Sequence, residues 1–382
     1  MNLQRAVDAI LGTSEDWRFV RVFVYISLGS VLWQLRPVPA AQRAIQAIER
    51  RKSHRRPPRY GLRAGVALAL IGVLSAGAYG GWRMLPSLHE VSSRTLANPV
   101  RIKPEPPYVG VFEPGEQGSY QIVDDFAKQT GQQPQIILYY SSWNQPFDIQ
   151  FARTVRANNA IPFVELLPND ISMSSIADGK WDSFIRSYAT QIRQFGSQVV
   201  IGFAPEMNGN WYSWGYGKVS STEFVAAWRH VVNTFRSVGA KNVTWLWAVS
   251  EVDSVQPSIK QWWPGSDYVT WTGVDGYYYR PTDTFNSVFG LAISQIRAIT
   301  NKPLLIPETA APPGPQQPTQ IKEIFQGVQK YHLMGMVWFD QKQDDGPFHL
   351  DWQLEGDKAG ISAFRQGLQN LRSETSASSV NR

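Results

Sequence analysis

The 382 residues contain no cysteine. That absence removes disulfide frameworks, thiolate metal sites and cysteine nucleophiles together. Histidine is scarce. His54, His89, His230, His332 and His349 are the whole set, and none stands at H-E-x-x-H or similar ligand spacing, so no metal site and no cofactor is expected. A phosphate loop is also missing. Where a doubly wound nucleotide-binding sheet would want G-x-G-x-x-G after its first strand, the chain has Glu113-Pro114-Gly115-Glu116-Gln117-Gly118, whose carboxylates would repel a phosphate.

The charge is unevenly spread. Residues 1–90 hold 13 Lys+Arg against 5 Asp+Glu, which leaves 24 against 26 for residues 91–382. The basicity belongs to the N-terminal quarter, and the near-neutral remainder, rich in tryptophan, does not have the footprint of a nucleic-acid binder. Residues 1–63 read as a basic cytoplasmic region, with Phe19–Leu35 (interrupted by Arg21) as a possible extra membrane segment or an interfacial helix. From Ala64 to Trp82 there is no charged residue, so 64–83 is expected to be a transmembrane helix, matched to a hydrocarbon core about 30 Å thick. Tyr79 and Trp82 stand near one end, where interfacial aromatics belong. The basic block lies before this span, so the positive-inside rule puts everything after it outside the cytoplasm. Residues 84–107, with five prolines, read as a tether, and 373–382 as a polar tail.

From residue 108 a regular alternation sets in. Apolar, β-branched runs occupy Tyr108–Phe112, Ile136–Tyr140, Ile161–Leu166, Val199–Phe203, Val243–Val249, Val269–Gly276, Leu304–Pro307 and Gly335–Phe339. Segments with helical spacing lie between most of them, such as Trp181–Phe195, Ser221–Val238, Val288–Thr300 and Thr319–Tyr331. Ser221 or Thr222 and Thr319 are expected N-caps, and Gly196 and Gly239 expected stops. The fold class is α/β: a (β/α)8 TIM barrel over 108–372, close to the usual size of about 250 residues.

Such barrels build their sites at the C-terminal ends of the strands. There the chain places Glu113, then Ser141, Ser142 and Trp143, then Glu165, then Glu206 and Asn208, then Trp247, Ser250 and Glu251, then Asp275, Tyr277 and Tyr278, then Glu308, then Trp338 and Asp340. Carboxylates and aromatics converge without histidine or lysine. Schiff-base chemistry and a zinc hydrolase do not fit; glycoside hydrolysis, which needs two carboxyls across a scissile bond, does. Strands 4 and 7 face each other across the ring. Glu206 and Glu308 can therefore approach to the roughly 5–5.5 Å of a retaining pair, one protonated as general acid and the other ionised as nucleophile. Flat apolar faces for sugar rings are offered by Trp143, Trp211, Trp214, Trp247 and Trp338.

The stretch Pro205-Glu206-Met207-Asn208-Gly209-x-Trp211-Tyr212-x-Trp214-Gly215 resembles the acid/base motif of glycoside hydrolase family 26, and the resemblance extends over about residues 108–370. The resemblance implies a (β/α)8 barrel of the 4/7 superfamily, with Glu206 as general acid/base and Glu308 as nucleophile. It implies that Tyr277, in Asp275-Gly276-Tyr277, hydrogen-bonds the nucleophile, and that Trp338 floors the sugar being cleaved. Asn208, Trp211, Trp214 and Glu165 become candidate substrate contacts. Ile176-x-x-Gly179-x-x-Asp182-x-x-Ile185 also resembles a family segment. Two departures stand out. Many members have His where this chain has Pro205, and mannanases often show a Trp-His pair in the region of Glu165. The implied substrate is a β-linked polysaccharide, with β-1,4-mannan and mixed-linkage or β-1,4-glucan both open. A catalytically impaired polysaccharide-binding protein of the cell surface or of a glycan export system is the alternative.

Overall fold

The computed structural model describes residues 106–252, 258–343, 350–354, 356 and 358–380. The basic region 1–63, the expected membrane segment 64–83 and residues 84–105 of the tether lie outside the described residues. Among the described residues no helix is long and apolar enough to cross a membrane.

The elements run β1 (Tyr108–Phe112), α1 (Gln121–Thr130), β2 (Ile136–Ser142), α2 (Ile149–Ala157), β3 (Ile161–Leu167), α3 (Met173–Ala177), α4 (Asp182–Phe195), β4 (Val199–Phe203), α5 (Ser221–Val238), β5 (Val243–Ser250), a 3-10 turn (Ile259–Trp262), β6 (Trp271–Tyr277), a π turn (Asn286–Gly290) leading into α6 (Leu291–Ile299), β7 (Leu304–Ala310), α7 (Gln317–Lys330), β8 (Gly335–Phe339) and α8 (Lys358–Val380). All eight strands are parallel and close into one barrel in sequence order, as the alternation predicts. The last helix runs on past residue 372, through the stretch read as a polar tail.

Local chemistry sets the helix ends. Gly196 and Gly239 end α4 and α5 in the left-handed conformation, as expected. The N-cap of α5 is Ser220 rather than Ser221 or Thr222. Only Ser220 stands three residues before Glu223, where each side chain bonds the other's backbone in a capping box. Likewise α7 starts at Gln317 rather than after Thr319, because Pro318 is already suited to a first helical turn.

Strand alternation divides the core into a barrel interior and a layer between sheet and helices. On β5, Trp245 meets Phe235 of α5, and Trp247, two residues on, meets Trp263. On β8, Trp338 meets Phe364 of α8, whereas its neighbour Phe339 stacks on Phe112 inside. One strand departs from strict register. Gly273 pairs with Leu305 and Gly276 with Thr309, while Ile306 pairs with Met336 and Thr309 with Trp338. β7 therefore carries one residue more than either neighbour between Ile306 and Thr309, a β-bulge at Pro307-Glu308. Gly273 makes room for it, since a Cβ there would lie 2.5 Å from Pro307 Cγ. Bulges of this kind bend a strand and re-aim its side chains.

Candidate active site

The bulge delivers Glu308 into the mouth of the barrel, 9% exposed. Two phenols hold it. Tyr277, from the end of β6, donates to Oε2 at 2.6 Å, and Tyr140, from β2, donates to Oε1. The tyrosines are braced by an arc of rings. Phe112 packs edge-on to Tyr140 and stacks on Phe339, Phe339 meets Tyr277 edge-on, and Trp352 lies 5.0 Å from Tyr277. Burial pushes the Glu308 carboxyl up, and the hydrogen bonds from Tyr140, Tyr277 and Glu165 pull it back down.

Glu206 enters from the opposite side on a backbone of unusual shape. Ala204 and Glu206 both take left-handed φ values, 48° and 54°, on either side of Pro205. Such conformations cost on the order of 1–3 kcal/mol each and need surroundings that over-determine them. Those surroundings are visible. Ala204 N–H donates to the Leu166 carbonyl and Glu206 N–H to that of Ala248, while the Pro205 carbonyl accepts from Trp214 Nε1 at 2.8 Å. Asn208 clamps the Ser250 backbone in both directions, donating from Nδ2 to its carbonyl and accepting its N–H at Oδ1. The following loop then folds back so that Trp211 Nε1 donates to Glu206 Oε2 at 2.9 Å. The indole lies over Gly209, where any Cβ would come within 2.3 Å of the ring. Burial, then the nearby Glu308, push the Glu206 carboxyl up to about 8, against the hydrogen bonds from Trp211 and Ser250.

Two more carboxyls share the space. Glu165 of β3 is 1% exposed and Asp275 of β6 equally buried. Burial pushes both well above the usual range, and Glu308 adds to the push on each. Among the described residues no group of acidic or histidine side chains is arranged to hold a metal ion.

The predicted residues thus divide. Glu165, Glu206, Asp275, Tyr277 and Glu308 come together, and Trp211, half-buried beside Glu206, is the tryptophan turned to them. Four tryptophans do not line the mouth. Trp338 and Trp247 point outward, because the alternation of their strands puts them in the helix-facing layer. Trp143 packs there too, against Phe184 of α4 and Phe203. Trp214 is fully buried, stacked 4.2 Å from Tyr212. Asn208 serves the backbone of Ser250 rather than open space. Asp182 of the Ile176–Ile185 segment binds His230 Nε2 at 2.6 Å, joining α4 to α5 away from the site. The sequence reading gave no site role to Tyr140, Tyr212 or Trp352. Tyr140 sits beside Glu165 in the β2–β3 register, and that pairing was the available signal. Tyr212 feels Glu206, Glu308, Glu165 and Asp275 together, which places it among them.

With that geometry in view, comparison with known proteins gives a consistent result. The model of glycosyl hydrolase family 26 matches residues 181–364. Endoglucanase H of Acetivibrio thermocellus is 28% identical over 272 residues, 66% of this chain and 29% of that protein. The β-1,3-xylanase TXYA of a Vibrio species is 28% identical over 140 residues, 36% of this chain and 29% of that one. The chain thus spans less than a third of the length of either relative. Among solved structures, a Cellulomonas fimi endo-β-1,4-mannanase double mutant superposes with a TM-score of 0.55 at 15% identity, covering 71% of each chain, a likeness of fold. The chain is thus similar to glycosyl hydrolase family 26 over residues 181–364.

Proposed function

We propose that the chain is a retaining endo-β-glycanase that cleaves a β-linked glucan by double displacement. One observation carries the reading: a half-buried carboxyl at the end of β4, pushed up to about 8, stands near a buried carboxyl at the end of β7 that two phenol hydroxyls grip. Glu206 is half-buried, and desolvation and the nearby Glu308 outweigh the hydrogen bonds from Trp211 and Ser250, so it keeps its proton near neutrality. Glu308 has two phenolic donors and keeps its charge.

The steps follow. Glu206 gives its proton to the glycosidic oxygen as that bond to the anomeric carbon breaks, while a Glu308 oxygen bonds to the same carbon from the other face. The result is a glycosyl ester on Glu308 and a neutral leaving sugar. Glu206, now a carboxylate, takes a proton from a water molecule whose oxygen attacks the anomeric carbon. The ester bond breaks, Glu308 regains its charge, and the sugar leaves with its configuration retained. Trp211 both holds Glu206 and offers an indole face to the sugar beside it.

Support for glucan comes from the similarity to endoglucanase H over 66% of the chain and from Glu165, a carboxylate in the region where mannanases often show a Trp-His pair. Full-length protein incubated with lichenan, β-1,4-mannan and β-1,3-xylan should release reducing sugar from lichenan foremost, and the Glu206→Gln and Glu308→Gln variants should release none. Release from no glycan by the parent would sink the reading and favour the second one, a polysaccharide-binding protein, for which Pro205 in place of histidine is the supporting observation. We further propose that residues 64–83 anchor the barrel outside the cytoplasmic membrane, supported by the uncharged run and the basic block before it. Protease added to intact spheroplasts should then digest the barrel, and survival of the barrel would refute the topology.

A further inference from the structure

The double displacement leaves two carboxyls in the mouth without a task, Asp275 and Glu165, and Glu165 is the one that stands beside Tyr140, a donor to Glu308. It stands on β3 between Tyr140 of β2, whose hydroxyl donates to Glu308, and Gly202 of β4, is 1% exposed, and burial and then Glu308, in part through a side-chain hydrogen bond that lowers Glu308, push its carboxyl up. The groups that face it are carboxyls and phenols: Tyr140 from β2, Glu206 and Tyr212 from the loop after β4, Asp275 from β6 and Glu308 from β7. The charged groups that act on it are all carboxyls. Its Oε1 meets no N–H or O–H donor among the described residues.

Two carboxylates in contact without a cation repel each other, and a hydrogen bond between them requires one proton. Glu308 already accepts from Tyr140 and Tyr277, so it is the better stabilised anion of the two. Glu165 is offered no donor at Oε1, so it is the better acid. We infer that Glu165 is a positioning residue that stays protonated and donates its O–H to the Glu308 carboxylate, a third donor beside Tyr140 and Tyr277. This deepens the reading of Glu308 as nucleophile and rests on it for its consequence in catalysis. Three donors fix both Glu308 oxygens and keep the carboxylate ionised at a depth where burial alone would neutralise it. The Glu165 proton does not enter the reaction. It remains on Glu165 when Glu308 becomes an ester, where it still meets the ester's oxygens.

Glutamine and leucine are both close to glutamate in size, but only glutamine can donate. In full-length Glu165→Leu, Glu308 loses a charge-assisted hydrogen bond, and the acid limb of kcat/KM on lichenan should rise by about one pH unit or more. In Glu165→Gln the amide supplies the donor, and the acid limb should return to the parent position. Coinciding acid limbs in parent and Leu variant, or a Gln variant that behaves like Leu, would overturn the proposal.

A second arm needs no substrate and no Leu variant. In full-length protein labelled with 13C at the glutamate carboxyl, one resonance protonated at pH 7 should vanish in Glu165→Gln; if every protonated resonance survives, Glu165 is not the donor. An inactive parent would count against the glycanase reading alone, since this arm still decides the protonation of Glu165.

Discussion

The end of β4 brings a half-buried glutamate and the end of β7 a buried one to the same space, and they hold them by different means. At β4 the holding is done by backbone. Two left-handed residues flank a proline, their N–H groups are tied to neighbouring strands, and the Glu206 side chain receives Trp211 and Ser250. At β7 a bulge turns the side chain inward, and hydroxyls from β2 and β6 grip both oxygens. Glu206 takes an indole N–H and a Ser250 donor, whereas both oxygens of Glu308 take a phenol O–H, and on the proposed reading that difference makes Glu206 the acid and Glu308 the nucleophile.

The sharpest break of that comparison removes each carboxyl and asks which half of the reaction can be restored from outside. Glu308→Ala and Glu206→Ala should each lose about a thousandfold or more on lichenan. Azide should rescue both with opposite stereochemistry on an activated aryl β-glycoside. In Glu308→Ala it takes the vacated nucleophile's place and gives the α-azide. In Glu206→Ala it intercepts the glycosyl ester and gives the β-azide. The same anomer from both would mean that the roles are wrongly divided.

The next largest effect lies in the donors to Glu308. They favour its ionised form, so removing one raises its pKa. Tyr140→Phe and Tyr277→Phe should each lift the acid limb of kcat/KM by about one pH unit, with about a tenfold loss on that limb. Equal acid limbs in parent and variants would show that the phenols do not set the charge of Glu308. The corresponding change on the other side is smaller and falls on the other limb. Trp211 N–H favours ionised Glu206, so in Trp211→Phe the alkaline limb should move upward from about 8, by about half a unit to one unit, in a pH–rate profile. A downward shift would contradict the assigned donor.

Much of this was legible before the structure. Eight apolar runs at βα spacing pointed to the barrel, and counting them put Glu206 at the fourth strand end and Glu308 at the seventh. What could not be read was which way the tryptophans face. On a strand exposed to water on one side, alternating polarity reveals the inward residues. In a parallel barrel both faces are buried, so Met336, Val337, Trp338 and Phe339 are all apolar, and nothing in their order says that Phe339 points in and Trp338 out. Trp247 was misplaced for the same reason, whereas Trp143 follows the end of β2 and turns back against Phe184 and Phe203. Tyr140 was hidden inside an apolar run, as its strand's last predicted residue. The bulge at Pro307-Glu308 is a relation between three strands and leaves no mark on any one of them.

A fifth buried carboxyl supplies the control that the comparison needs. Glu116, in the loop after β1, is 3% exposed and takes no part in the mouth. Burial pushes its carboxyl up to about 8, offset only by its own backbone N–H. It shows what depth does to a glutamate without the Tyr140 and Tyr277 that Glu308 enjoys. The consequence is for stability rather than rate. Between an unfolded value near the ordinary 4.5 and the folded value of about 8, the unfolded chain has released this proton and the folded chain still holds it. Stability from this group is therefore complete below about pH 4.5 and is lost as pH rises through about 8. Glu116→Gln removes the titration while keeping the shape. Its melting temperature relative to the parent should therefore rise between pH 5 and pH 8, by a few degrees, corresponding to about 1–3 kcal/mol, while lichenan hydrolysis is unaltered. A melting difference independent of pH would mean that Glu116 is ionised in the folded protein, and that burial alone does not neutralise a carboxyl in this barrel.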